Sequence, residues 1–147
     1  MLPILNFPKF NFKLKKNGQN ELEIFDISRK KFVLITPEEW VRQNALWYLV
    51  EVKQYPLSLI ELEREINLNG TKKRFDLLVK NRAGDVELLL ECKAPEVKLS
   101  QATFDQINRY NSIVKSRILW LTNGVEHFAY VKTGNAYNSL NDVPEYV

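Results

Sequence analysis

The sequence predicts an α/β (α+β) fold, a central mixed β-sheet flanked by helices and preceded by an N-terminal β-meander. Three stretches predict it. Residues 72–95 hold two Leu/Val-rich runs, 75–79 and 86–90, joined by Asn81-Arg82-Ala83-Gly84-Asp85, the polar Asn- and Gly-containing segment that a hairpin turn requires. Thr36-Pro37-Glu38-Glu39 opens a helix with a broad apolar face. After the second Leu/Val run, a helical pattern leads to the apolar run 118–122, a connection with the length of a right-handed parallel crossover.

In chain order, residues 9–35 alternate as β structure. Phe10, Phe12 and Leu14 are spaced by two, Asn17-Gly18 signals a turn, and 22–27 and 31–35 predict two further strands. Thr36 is the expected N-cap of the first helix, Pro37 suits its first position and Glu39 completes a capping box. Gln54-Tyr55-Pro56 ends it. Residues 57–66 predict a strand with Glu61, Glu63 and Glu65 on one side and Ile60, Leu62 and Ile66 on the other. Ser100 caps a second helix, with Leu99 and Phe104 as a hydrophobic staple. Residues 118–122 and 126–132 pair across an Asn123-Gly124 turn. Beyond Thr133 the chain turns polar and is expected to be a loosely attached tail. The expectation is one domain, 1–147, made of an arm (1–35), a core (36–132) and the tail (133–147).

Composition narrows the functional classes. The 147 residues are 45% hydrophobic and 27% charged with net charge +3, ordinary for a globular domain and permissive of a polyanionic partner. Basic residues cluster at Lys13, Lys15 and Lys16, at Arg29, Lys30 and Lys31, and at Lys72, Lys73 and Arg74. Solvated loops account for the first two clusters at least as well as binding does. Cys92 is the one cysteine, so an intrachain disulfide is excluded. His127 is the one histidine, which argues against a His-rich zinc site, and it is assigned no role. No signal-peptide pattern and no membrane-spanning apolar run are present, so a cytoplasmic location and no membrane partner are expected.

The chemistry concentrates at one end of the hairpin. Folding it about Ala83-Gly84 places Val79 opposite Leu88, Leu78 opposite Leu89, Leu77 opposite Leu90 and Asp76 opposite Glu91. Opposed residues share a face, with Cβ atoms about 4.5–5.5 Å apart. Lys93 falls on that face too, with Arg74 opposite it. A one-residue bulge would undo this register. Paired carboxylates on adjacent strands form a hard-oxygen site suited to Mg²⁺ or Mn²⁺, with the backbone carbonyl of Cys92 as a further ligand. Lys93 would orient or deprotonate an attacking water or stabilise phosphorane charge. The Asp-x14-Glu-x-Lys spacing is weakly specific by itself, because Glu-x-Lys on a strand is more often a surface ion-pair pattern.

Arg74-Phe75-Asp76 followed by Leu89-Leu90-Glu91-Cys92-Lys93-Ala94-Pro95 resembles the PD-(D/E)XK nuclease superfamily. More closely, the chain resembles the N-terminal nuclease domain of type I restriction enzyme R subunits. Thr36-Pro37-Glu38-Glu39-Trp40-Val41-Arg42-Gln43 is similar to that family's first helix, and Gln106-x3-Tyr110 is similar to its accessory motif. The resemblance implies a restriction-endonuclease-like core and a DNA endonuclease. It makes Asp76 and Glu91 metal ligands and Lys93 the catalytic lysine. Gln106 and Tyr110, with Lys72, Lys73 and Arg74, would position DNA. Glu39 stands equally as a third acid or as a helix cap. Glu63 matches an acidic position, although a solvated strand residue is favoured there. Tyr110 also fits a core aromatic, and Arg42 a helix-surface ion pair.

Two departures bear on the expectation. Phe75 stands where the superfamily's proline would be, and no Walker glycine-lysine motif follows, so the chain is expected to lack a translocase. DNA, other restriction-system subunits and a second copy of the chain are the implied partners, the last because a duplex break takes two active sites or two visits. A catalytically silent nucleic-acid- or partner-binding module, and a repair or structure-specific nuclease, are the rival readings.

Overall fold

The structure is a computed structural model and describes residues 2–147. Strands β1 (Leu14–Lys16), β2 (Leu22–Asp26) and β3 (Lys31–Leu34) form an antiparallel meander. Helix α1 (Pro37–Trp47) follows and runs on as one π turn, Tyr48–Val52. The main sheet comprises β4 (Ile60–Leu68), β5 (Thr71–Lys80), β6 (Val86–Cys92), β7 (Ile118–Thr122), β8 (His127–Thr133) and β9 (Ala136–Leu140), in that spatial order. Helix α2 (Gln101–Val114) connects β6 to β7, the one parallel pair, while the other neighbours are antiparallel.

Local chemistry accounts for the helix starts. Thr36 Oγ1 accepts from the Glu39 N–H at 3.0 Å, and Pro37 occupies the first turn. The capping box expected there is only half formed, because the Glu39 carboxylate turns toward arginines instead of returning to Thr36. At α2 the box is complete between Ser100 and Thr103. Lys115 closes that helix in the left-handed region.

The main sheet has a core on each face. Val41, Ala45 and Leu46 of α1 and Leu49 of the π turn cover Leu77, Val79, Leu88, Leu90 and Trp120. Ile107 of α2, with Phe104 and Tyr110 at its margin, covers Phe75, Leu78, Leu89, Leu119 and Leu121. Burial of strands on both faces explains their near-continuous Leu/Val runs.

The expected hairpin register holds where it matters. Leu77 pairs with Leu90, Leu78 with Leu89 and Val79 with Leu88. A bulge does occur, between Val79 and Lys80 beside the turn, but the register recovers before the charged end.

Strand β4 departs from the expected alternation. Ile60 and Leu62 pack in the α1 core, whereas Ile66 and Leu68 pack in the α2 core, though all four are even-numbered. On β5, Leu77 and Val79 lie in the α1 core and Phe75 in the α2 core. Both strands therefore switch faces at the same level, between Glu63 and Asp76. Leu62 pairs with Leu77 and Arg64 with Phe75, while Glu63 adopts φ 53°, a left-handed conformation costly for a glutamate.

The expected loose tail is instead part of the fold. Residues Ala136–Leu140 form edge strand β9. Beyond it Val143 is buried in the α1 core, the Tyr55 hydroxyl donates to the Pro144 carbonyl at 2.9 Å, and Lys53 Nζ meets Asp142 at 3.0 Å. Polar composition had suggested a tail because these anchors are few and spaced among Asn, Ser and Gly. Val143→Ala is expected to lower stability by about 2 kcal/mol, the worth of a buried branched side chain losing two methyls. Urea denaturation checks this, and an unchanged midpoint would mean that the tail does not dock.

Candidate functional site

The site forms where β5 and β6 part. Their regular pairing ends at Leu77 and Leu90, one residue short of Asp76 and Glu91. There the Asp76 side chain replaces the missing backbone acceptor: its Oδ2 accepts from the Cys92 N–H at 2.9 Å. Because a strand residue's N–H and C=O leave on the same edge, the Cys92 carbonyl faces the same gap. The Cys92 thiol lies buried on the α1 side, where burial and then the charge of Asp76 push its pKa up.

Asp76 and Glu91 come together as the register requires. Glu91 is held at about pKa 8, first by burial and then by the charge and hydrogen bonding of Asp76. Lys73 and Lys93 pull against that rise, and Lys73 Nζ lies 3.5 Å from Glu91 Oε2.

A third carboxylate stands nearby, and it is Glu38 rather than Glu39. Burial and then Asp76 raise the Glu38 pKa, while Arg42 and Lys93 lower it. Sequence reasoning missed Glu38. The available signal was helical spacing, since Glu38 and Arg42 are four apart and share one face of α1. Glu39 is taken up elsewhere. It accepts from Arg42 Nε at 3.0 Å and Nη2 at 2.7 Å, from Arg29 Nη2 at 2.9 Å and from Gln43 Nε2 at 3.1 Å. Burial would raise its pKa, and the hydrogen bonds from Arg42 overcome this and lower it.

Arg42 is not a surface residue. Its side chain is 9% exposed and touches three acids: Glu39, Glu63 Oε1 at 3.3 Å and Asp76 Oδ1 at 3.0 Å. Arg29, from the turn after β2, reaches Asp26 at 2.6 Å and also meets Glu39 and Glu63. Glu63, expected as a metal candidate or a solvated side chain, is thus an anchor for two guanidiniums. Its carboxylate lies opposite Asp76, where β4 takes its left-handed turn.

The basic and accessory residues divide. Lys73 takes the place beside Glu91 that Arg74 was expected to share, because the change of faces at Asp76 rotates the preceding residues. Arg74 points outward, 63% exposed and 4.0 Å from Glu65, with Lys72 also beside Glu65 at 3.7 Å. Tyr110 lies against the site through Lys73, whose ammonium is 5.2 Å from its ring centroid, and edge-on to Phe75. Gln106 is exposed on α2. Lys93 is partly buried, its N–H donating to the Thr122 carbonyl at 2.9 Å. His127 is structural: its ring nitrogens meet Thr122 Oγ1 at 2.7 Å and the Asn6 carbonyl oxygen at 2.8 Å.

A family model, type I restriction enzyme R protein N terminus (HSDR_N), matches residues 37–144. The chain belongs to this family. The match takes in α1, the main sheet and α2, and hence Glu38, Asp76, Glu91 and Lys93, while the β1–β3 arm lies outside it. A solved fragment from Vibrio vulnificus YJ016, described as an HsdR subunit of a type I restriction enzyme, has TM-score 0.56 at 20% identity. The alignment covers 76% of this chain and 24% of that one, and it shows that the HSDR_N chain has the restriction-endonuclease-like fold. Among curated proteins nothing matches. No helix among the described residues is long and apolar enough to cross a membrane.

The donor set suits a hard divalent ion in one specific sense. Among the described residues no three His, Cys, Asp or Glu side chains form a ready cage. What converges is a carboxylate pair in which burial, and then the neighbouring Asp76, hold the Glu91 pKa near 8, so that the charged form of Glu91 is disfavoured unless a cation stands beside it. Mg²⁺ commonly takes one or two carboxylates and completes its shell with water and substrate oxygens.

Two predictions follow from these charges. Glu91 binds its proton more tightly in the folded chain than in the unfolded one, so the folded state carries the extra proton between about pH 4.5 and about pH 8. Its contribution to stability is complete below that window and lost as pH rises through it. Subtracting Glu91→Gln melting temperatures from wild-type ones in EDTA should give a difference that falls from pH 5 to pH 8; a level difference contradicts the raised pKa. Arg42→Ala removes the guanidinium on Asp76 and leaves Glu39 and Glu63 to Arg29, and is expected to cost about 3 kcal/mol in chemical denaturation. Arg42→Lys should recover only part of this, because an ammonium lacks the planar fork that pairs with Glu39 through Nε and Nη2.

Proposed function

We propose that this domain is a Mg²⁺- or Mn²⁺-dependent DNA endonuclease module of a restriction system. The observation that carries the proposal is the convergence of Asp76 and Glu91 where β5 and β6 part, with Glu38 beside Asp76 and Lys93 near enough to pull down the pKa of both Glu91 and Glu38. Asp76, Glu91 and the Cys92 carbonyl would hold the ion. When bound, it would polarise a phosphoryl oxygen and lower the pKa of its water. Lys93 would orient that water or stabilise charge on the phosphorane. Glu38, whose pKa is raised by burial and then by Asp76, would be a further candidate to take up or release a proton there. Lys73 and Tyr110 would line the DNA side of the site, with Lys72, Arg74 and Gln106 along its rim. Other restriction-system subunits and a second copy of the chain are the partners that would turn single-strand cuts into duplex breaks.

One contact favours a second reading, a catalytically silent DNA- or partner-binding module. Arg42 Nη1 occupies Asp76 Oδ1, an oxygen that a metal would otherwise use. The two readings separate cleanly in solution. With Mg²⁺ or Mn²⁺ the protein is expected to nick supercoiled plasmid, with Asp76→Ala and Lys93→Ala each at least about 10²-fold slower. Titrating Mn²⁺ should show site binding that Asp76→Ala abolishes. Asp76→Ala protein that cuts as fast as wild type would sink the assignment, and wild type that neither binds Mn²⁺ nor cuts would select the silent module.

A further inference from the structure

The positive charge of this chain is not spread evenly. Residues 1–35 carry seven lysines and arginines against three acids, a balance of +4, in a chain whose total is +3; the remainder is slightly acidic at −1. All of the excess therefore belongs to the N-terminal arm, which lies outside the span matched by the family model.

The arm's sheet has two unlike faces. The inner face holds Ile24, fully buried, and Asp26, buried and tied to Arg29 and Gln43. The outer face holds Phe25 and Phe32, paired across β2 and β3 with ring centroids 5.3 Å apart, next to exposed Leu34. Neither ring belongs to either core of the main sheet. The rings instead support lysines. Lys15 Nζ lies 4.2 Å from the Phe32 centroid, and Lys13 Nζ lies 5.7 Å and 5.8 Å from those of Phe25 and Phe32. Lys15 remains half exposed and shares only a 3.9 Å contact with Glu23. Ammonium groups held over aromatic faces lose less freedom when they meet an anion than free lysines do. At the other end of the same hairpin, Lys30 and Lys31 adjoin Arg29, which spans to Glu63 opposite Asp76. Lys31 pairs with Asp26 and so falls on the inner side of the sheet, while Arg29 joins this end of the arm to Glu63 at the edge of the candidate site.

We propose that the outer face of β1–β3 is a docking surface for the phosphates of duplex DNA, holding the duplex beside the site. The occupant is set by charge complementarity and by the state of the rings. Their faces are already capped by ammonium groups, which suits point-charge contacts to a phosphate backbone rather than stacking of unpaired bases. The proposal rests on the reading that DNA is the partner, and it does not depend on cleavage.

The test is fluorescence anisotropy of a labelled 30-base-pair duplex, and of one of its single strands, with the full chain in EDTA over a series of salt concentrations. Lys13→Gln/Lys15→Gln is expected to weaken duplex binding about 10-fold or more. It should also flatten the slope of log affinity against log salt by about 1.8, two phosphate contacts at about 0.9 each. Lys115→Gln/Lys132→Gln, at the Ile118 end of the sheet, is the control and should change little. Thermal melting of both variants confirms that they fold. The proposal is overturned if the arm pair binds no more weakly than the control pair. It is also overturned if the single strand binds more tightly than the duplex and Phe25→Leu/Phe32→Leu removes that preference, since the rings would then be stacking bases. Because the assay reads binding without metal, its failure leaves the cleavage assignment of Asp76 and Lys93 standing, and an inactive plasmid assay leaves the arm assignment standing.

Discussion

One guanidinium holds this architecture together. Arg42 sits between Glu39 on its own helix, Glu63 on β4 and Asp76 on β5, in a space where its side chain is 9% exposed. A charge in such a place is tolerable only when its donors are matched by acceptors, and the five N–H donors of the guanidinium let it pair with Glu39 through two nitrogens while reaching Glu63 and Asp76. Burial disfavours its charge, yet the bonds to Glu39 leave its pKa raised. The carboxylate that organises the candidate site is thus positioned by an arginine from the helix, not by its own strand alone.

The change of faces along β4 and β5 is the structural counterpart of that contact. Glu63 takes a left-handed backbone at the level of Asp76, and its carboxylate meets both Arg42 and Arg29. Strain at this point has a visible compensation in those ion pairs. It also has a consequence: beyond Asp76 the odd-numbered residues of β5 look toward α2, so Lys73 rather than Arg74 reaches Glu91, and Tyr110 enters the site's surroundings by packing on that lysine. The opening of the β5–β6 ladder leaves a backbone N–H that Asp76 satisfies and a Cys92 carbonyl facing the gap, so the place where regular pairing stops is also the place where polar groups become available.

Arg29 extends the same logic outward. Through Asp26 and Glu39 it joins the arm's inner face to α1, so an accessory sheet outside the family match is coupled by charge to the element that holds Asp76. The electrostatics of the domain therefore divide by depth. Guanidiniums neutralise acids inside, and lysines remain on the arm's outer face.

Much of this was legible in the sequence because it is local. The caps at Thr36 and Ser100, the Asn81–Asp85 turn, the Leu/Val runs and the pairing of Leu77–Val79 with Leu88–Leu90 are all set by neighbouring residues and by period, and from them the meeting of Asp76 with Glu91 followed. Tertiary structure alone decided the rest. Alternation is a rule for regular strands, and no local signal marks a glutamate that will be forced into the left-handed region by two arginines from distant segments. Hence the sequence offers Glu63 as a solvated strand residue or metal ligand and Arg42 as a surface ion pair where the two pair with each other and Arg42 is buried, it offers Glu39 as the third acid where Glu38 stands, and its polar tail is a strand followed by a buried valine. Residue identity and local spacing set which side chains can do chemistry; long-range ion pairing, which depends on where separate elements meet, sets which of them face one another.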